Sequence, residues 1–166
     1  MEKKKRFVSK IGDIFCVEIG NEYKCYFQYV ANDITELNSS VIRVFSKRYP
    51  FDGKVDMEEV VKGDVSFYAH TILKAGYLYN AWYKVGKSKN IGDVTNIMFR
   101  FYSDVNWVAR GMTTSSNWSV WKINEKHTFI GEMNEEYRKY HIGLVLSFLN
   151  IVHKIKTGSF LSKFLE

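Results

Sequence analysis

The stretch "IGDIFCVEIGNEYKCYF", residues 11–27, restricts the fold more than any other part of the chain. Phe15, Val17 and Ile19 are spaced two apart, and Tyr23, Cys25, Phe27 and Tyr29 repeat that spacing after Gly20-Asn21. Residues two apart share one face of a strand, so this pattern across a glycine-asparagine turn predicts a β-hairpin. Two registers compete. A two-residue loop on Gly20-Asn21 suits a type II′ turn and would set Cys16 opposite Cys25. It would also mix Phe15, Val17 and Ile19 with Glu22, Lys24 and Tyr26 on one face. A three-residue loop instead gathers Phe15, Val17, Ile19, Tyr23, Cys25 and Phe27 on one apolar face and sets Glu18 against Lys24. Because a one-residue slip exchanges the faces of every side chain, burial decides, and the slipped register is the expected one. The chain's only two cysteines then sit on opposite faces as unbonded thiols, with Cys25 in the core.

Further strands are expected at 41–46 ("VIRVFS"), 65–73 ("VSFYAHTIL"), 77–85 ("YLYNAWYKV"), 95–103 ("TNIMFRFYS"), 118–124 ("WSVWKIN") and 126–133 ("KHTFIGEM"). "VDMEEVVKG" reads as a short helix ended by Gly63. Near the C-terminus the period changes: Ser147 can cap a helix whose Phe148, Ile151, Val152 and Ile155 lie on one face, with Gly158 as its stop. Aromatic residues make up 16% of the chain and proline occurs once, a composition that favours sheet. The expected fold class is α+β: a strongly bent, barrel-like antiparallel sheet of seven to nine strands with one or two packed helices. At 166 residues without a proline- or glycine-rich linker, residues 11–166 form a single domain behind a basic tail, residues 1–10.

That tail also accounts for most of the net charge of +6. It carries five Lys/Arg against one Glu, whereas the remainder carries 19 Lys/Arg against 17 Asp/Glu. The basicity is therefore no signature of a nucleic-acid-binding body. No apolar run reaches the ~20 residues of a membrane span, and Asp13 and Glu18 interrupt any signal-like segment after the basic start. A cytoplasmic location follows, where thiols stay reduced.

Motifs for chemistry are missing. His70, His127, His141 and His153 form no HxH, HxxxH or HExxH, and CxxC does not occur, so no metal or other cofactor is expected. A cysteine in mid-strand among Phe, Val and Tyr lacks the electropositive setting of a reactive thiol. "GKS" at 86–88 resembles the end of a phosphate-binding loop, but position 81 is Ala where that loop requires Gly. No catalytic residue is assigned.

Contact chemistry is what remains. Trp107, Trp118 and Trp121 lie near Arg110 and Lys122. Trp118 and Trp121 fall on opposite faces of a strand, so one belongs to the core and the other to a surface. Exposed tryptophans suit protein interfaces or stacking of single-stranded bases. Acidic residues recur in local groups: Asp33 with Glu36, Asp56 with Glu58 and Glu59, and Glu132 with Glu135 and Glu136. The expected partner-binding residues are Trp107, Arg110, Trp118, Asp33, Glu36, Glu132, Glu135 and Glu136.

The order of "KIGDIFCVEI", "AWYKVGKS" (81–88), "NIMFRF" (96–101), "SNWSVWKINE" (116–125) and "HIGLVLSFLNIVHKIKTGSF" (141–160) resembles the immunity protein 26 family of bacterial polymorphic-toxin systems, from about residue 10 to 160. The resemblance implies a non-catalytic α+β immunity protein that binds a cognate toxin domain. A single-stranded nucleic-acid-binding β-barrel using Trp107, Trp118, Arg110 and the lysine tail is the alternative, and a hydrolase with His70 or His127 beside a carboxylate in a deep pocket is the third class.

Overall fold

The computed structural model describes residues 6–103, 115–162 and 165. Its first two strands, β1 (Asp13–Ile19) and β2 (Tyr23–Asp33), take the three-residue register. Val17 pairs with Cys25, Glu18 with Lys24 and Ile19 with Tyr23. Gly20 turns the chain at φ +56°, and the Glu22 N–H closes the loop on the Ile19 carbonyl at 3.2 Å. Both cysteines are free and buried. Cys16 packs with Ile14 and Tyr26 on one face. Cys25 lies on the other, where burial pushes its thiol up to about 11.

The chain continues through β3 (Ser39–Phe45), β4 (Tyr49–Pro50), α1 (Met57–Val60), β5 (Val65–Thr71), α2 (Leu73–Leu78), β6 (Tyr83–Lys87) and β7 (Met98–Tyr102). After residue 114 come β8 (Trp118–Lys122), β9 (Thr128–Gly131), a 3₁₀ turn (Tyr137–Lys139), β10 (His141–Ile142), β11 (Val145–Leu146) and α3 (Phe148–Thr157). Among the described residues, eleven strands form two open, mixed sheets. The larger has the order β11-β5-β3-β2-β1-β6 with β4 beside β2, and the smaller the order β10-β7-β8-β9. This corrects the single barrel-like antiparallel sheet of seven to nine strands. Sequence patterning misses three strands, each two residues long: β4, which pairs antiparallel with β2, and β10 and β11, which pair in parallel with β7 and β5 respectively.

Two sheets form because the central strands are apolar on both faces. Phe15, Val17, Phe27, Ile42, Val44 and Phe67 face Leu73, Trp82 and Ile151, so α2 and α3 cover one side. On the other side, Ile14, Cys16, Tyr26 and Phe45 lie under Val60 and Val61. Farther along that side, Val30, Ala31 and Val41 lie under Ile97, Phe99 and Trp121 of the smaller sheet. A polar strip separates these two clusters. Gln28 Nε2 donates to the carbonyls of Gly12 and Ser88, each at 3.1 Å, and its Oε1 accepts from Arg43 Nε at 2.9 Å. Arg43 Nη2 donates to the carbonyls of Asn90 (2.7 Å) and Val61 (3.2 Å). The strip thereby fastens the 88–90 segment and the end of α1 to the main sheet.

Local signals specify the helix ends. Ser147 accepts the Asn150 N–H and Gly158, at φ +83°, ends α3. Asp56 caps α1 through the Glu58 N–H. Residues 73–78 are the exception: this stretch, overlapping the expected strand at 77–85, forms α2. Its Gly76 lets the Trp82 ring lie against the helix, since a Cβ there would come within 2.1 Å of the ring, and Trp82 Nε1 donates to the Leu73 carbonyl at 2.9 Å. Burial of that indole outweighs the β-propensity of the tyrosines around it.

Candidate protein-contact surface

A β-bulge determines where Asp33 goes. Against β3 the register of β2 shifts between Tyr29 and Ala31, which makes Val30 an extra residue. Uninterrupted alternation would put Asp33 on the face of Phe27. The bulge carries it to the opposite face, shared with Val41 and its β5 neighbour His70. There Asp33 Oδ2 accepts from His70 Nε2 at 2.9 Å and from Trp121 Nε1 at 3.0 Å, while Oδ1 accepts the Asn124 N–H at 3.1 Å. Burial acts to raise the pKa of this carboxyl, but the bonds from Trp121, His70 and Asn124 outweigh it and hold it below its ordinary value. Burial depresses His70 against the opposing pull of Asp33, so a neutral imidazole donates through Nε2. Asp33 therefore links β2, β5 and β8.

A second set of bonds fixes the β8–β9 hairpin. The Ile34 N–H donates to Asn124 Oδ1 at 2.8 Å. Glu36 takes the His127 N–H at 2.8 Å and meets its Nδ1 at 3.0 Å. Asn124, at φ +63°, makes the tight turn between these points. The hairpin is thus clasped at its turn, and β9 is held as the outer strand of the smaller sheet.

On this outer strand Phe129 is 63% exposed. Its β8 neighbours alternate, with Trp121 buried and Trp118 half-buried. Trp118 stands edge-on to Tyr102 at 5.1 Å, has the Arg100 guanidinium 5.5 Å from its ring, and pairs with Gly131. Glu132 follows directly, and Glu135 and Glu136 lead into the 3₁₀ turn; all three are exposed. Glu135 and Arg138 approach only to 3.7 Å, a weak exposed pair. The smaller sheet thus carries an exposed aromatic, followed along the chain by three exposed carboxylates.

The expected contact residues divide accordingly. Trp118 pairs with Gly131, Glu132 follows that residue, and Glu135 and Glu136 lead into the 3₁₀ turn. Asp33 is 0% exposed and so cannot stand at a rim. Glu36 is spent on clasping His127. Trp107 and Arg110 lie outside the described residues. Sequence reasoning missed Phe129; its one signal is an apolar residue in a short strand flanked by polar residues. A second apolar patch joins α2 to α3, where Tyr79 (71% exposed) stacks on Phe148 at 5.0 Å near Leu149.

Two histidines do lie beside carboxylates. His70 and Asp33 are both fully enclosed, so substrate cannot reach the pair. His127 and Glu36 form an exposed latch. Among the described residues, no group of three His, Cys, Asp or Glu could hold a metal ion. The open sheets also remove the β-barrel scaffold of the nucleic-acid alternative.

The family model described as Immunity protein 26 matches residues 10–110, a span that contains β1 to β7. No curated protein and no solved structure matches the chain. No helix among the described residues is long and apolar enough to cross a membrane.

Proposed function

The chain belongs to the immunity protein 26 family, and on that premise we propose that it is a non-catalytic immunity protein that neutralises a cognate bacterial toxin domain by direct contact. The observation that carries the choice of surface is Phe129, an apolar ring left in solvent on a clasped edge strand, with the exposed Glu132, Glu135 and Glu136 following it in the chain. Aromatic anchors ringed by charge are typical of binding hot spots. An acidic rim speeds encounter with a basic partner, so the toxin face is basic. The protein acts in the cytoplasm, a compartment that suits its two unbonded thiols.

The test is co-expression with the proteins encoded by the genes that flank its own, any toxin-like one among them being the expected partner. Wild type rescues growth and co-purifies with that protein. Phe129→Ala weakens the complex by at least about thirtyfold, the usual size of a hot-spot loss of ~2 kcal/mol. The charge reversal Glu132→Lys slows association and flattens its salt dependence. Neither complex nor rescue with wild type would refute the immunity reading. Loss of binding in Tyr79→Ala with retention in Phe129→Ala would instead place the contact on the α2–α3 patch.

A further inference from the structure

Arg43 carries a buried charge without an ionic partner. It lies 4% exposed on β3, and no carboxylate comes within ion-pair distance of it among the described residues. Three of its five N–H groups are used on neutral acceptors: Nε on Gln28 Oε1, and Nη2 on the carbonyls of Val61 and Asn90. The two on Nη1 meet no acceptor among the described residues. Nη1 also keeps contact with solvent, because the fully enclosed polar side-chain atoms without a partner are Ser39 Oγ and His70 Nδ1. We propose that Arg43 Nη1 is the centre of a binding site for a small monovalent anion of chloride size.

The segment 88–92 shapes the site. Ser88 Oγ accepts the Asn90 N–H at 3.1 Å and Asn90 Oδ1 accepts the Gly92 N–H at 3.2 Å, two local turns that hold the segment against the guanidinium. Gly92, at φ +72°, lies beside Nη1: a Cβ there would come within 2.4 Å of it. Apart from the guanidinium and the residues adjoining Gly92, no described atom lies within 4 Å of that Cβ position. Glycine therefore leaves open, next to the two unused N–H groups, a space that any side chain at 92 would fill. Two carboxylates belong to the same segment or its network and are engaged elsewhere. Glu58 Oε2 accepts from Ser88 Oγ at 3.1 Å, and Asp93 accepts from Thr95 and Asn96.

Charge and size select the ligand. A buried charge is stable when it is paired as well as hydrogen-bonded, and carbonyls and an amide supply only the bonds. Burial acts against the charged guanidinium, and the group that opposes this is the phenol of Tyr68, its cross-strand neighbour. Burial raises the pKa of that phenol in turn, so it is neutral at pH 7 and brings no counter-charge. Water would occupy the two N–H groups but leave the charge, whereas an anion does both and makes the stronger, charge-assisted bonds. At 4% exposure beneath the 88–92 segment, neither the carboxylate of a folded partner nor a phosphate ester reaches Nη1. A monatomic anion needs only the space of a short side chain at 92.

The experiment replaces sodium gluconate by sodium chloride at constant ionic strength, with the full chain, and follows the Arg43 Nε–H and the Gly92 amide by two-dimensional NMR. Both resonances should move saturably, with half-saturation on the order of 10 mM, the range held by one charge-assisted contact. By mass action, ~200 mM chloride then favours the folded state about twentyfold. The urea midpoint should rise by about 0.5–1 M. Arg43→Gln should abolish that rise, and Lys87→Gln, which removes an exposed charge, should keep it. Shifts that stay linear in chloride, or that are no larger than those of exposed amides, would overturn the proposal. A midpoint response undiminished in Arg43→Gln would do the same. Should that variant fail to fold, the two wild-type resonances decide.

Discussion

Replacing Asp33 by Asn keeps the shape of the side chain and changes only what it can accept. In the native protein, Oδ2 receives two side-chain N–H groups and Oδ1 a backbone N–H, all within 3.1 Å. The amide oxygen of Asn can keep His70 and Trp121, but its NH₂ then faces the Asn124 N–H, donor against donor. Two bonds lose charge assistance, about 1 kcal/mol each, and one part-buried N–H loses its acceptor at about 1–3 kcal/mol. Relief of the carboxylate's desolvation offsets part of this, leaving a net loss of about 3 kcal/mol. That is a large fraction of the ~5–15 kcal/mol typical of a domain. Urea unfolding followed by tryptophan fluorescence and circular dichroism measures it. A cycle with Trp121→Phe should give a coupling of about 1 kcal/mol or more. Glu36→Gln, which weakens a surface latch, should cost below about 1 kcal/mol. The depressed Asp33 pKa gives the matching pH sign: its stabilisation is complete above the ordinary carboxylate value and is lost as pH falls through the folded one. A loss in Asp33→Asn no greater than that in Glu36→Gln would refute the assignment of Asp33 as the link between the sheets.

Gly143→Ala should destabilise by about 1–3 kcal/mol, because the new Cβ would lie 1.9 Å from the Trp121 ring and Asp33 holds that indole in place. Its near-UV dichroism should weaken with it; an unchanged urea midpoint would show that the ring can move. Stability should also fall below neutral pH. His141 titrates at about 4 when folded and His70 is likewise depressed, so the unfolded chain takes up protons below about 6.5 that the folded chain refuses. For His141 alone the loss between pH 7 and pH 5 is about 2 kcal/mol, and His141→Gln should flatten the profile by that amount. Equal urea midpoints for wild type at the two pH values would contradict the buried, neutral state of the ring.

The immunity-family assignment and the proposed contact surface rest on different parts of the chain. The matched span ends before β8, whereas Phe129 and the acidic rim lie on β9 and the turn after it. What joins them is the clasp, in which Asp33 at the end of β2 and Ile34 and Glu36 in the turn after it hold Asn124 and His127. A disturbed clasp should therefore weaken toxin binding without touching the contact residues themselves.

Where short-range chemistry governs, the sequence alone was sufficient. The slipped register of the first hairpin follows from apolar alternation, which a one-residue shift would invert. Both ends of α3 follow from a serine hydroxyl and a glycine that tolerates positive φ. The opposite placement of Trp118 and Trp121 follows from the period of a strand. Tertiary structure decided the rest, because the determining partners lie far along the chain. The donors that draw Asp33 inside come from residues 37, 88 and 91 positions away, and the bulge that aims it costs a residue of register that no local pattern marks. Helix α2 depends on an indole folding back onto Gly76. Strands of two residues, such as β10 and β11, carry too little period to read; they exist because β5 and β7 offer them open edges. Acidic clusters near in sequence thus resolve only in three dimensions: Asp33 into the interior, Glu36 into a clasp, and Glu132, Glu135 and Glu136 onto the surface.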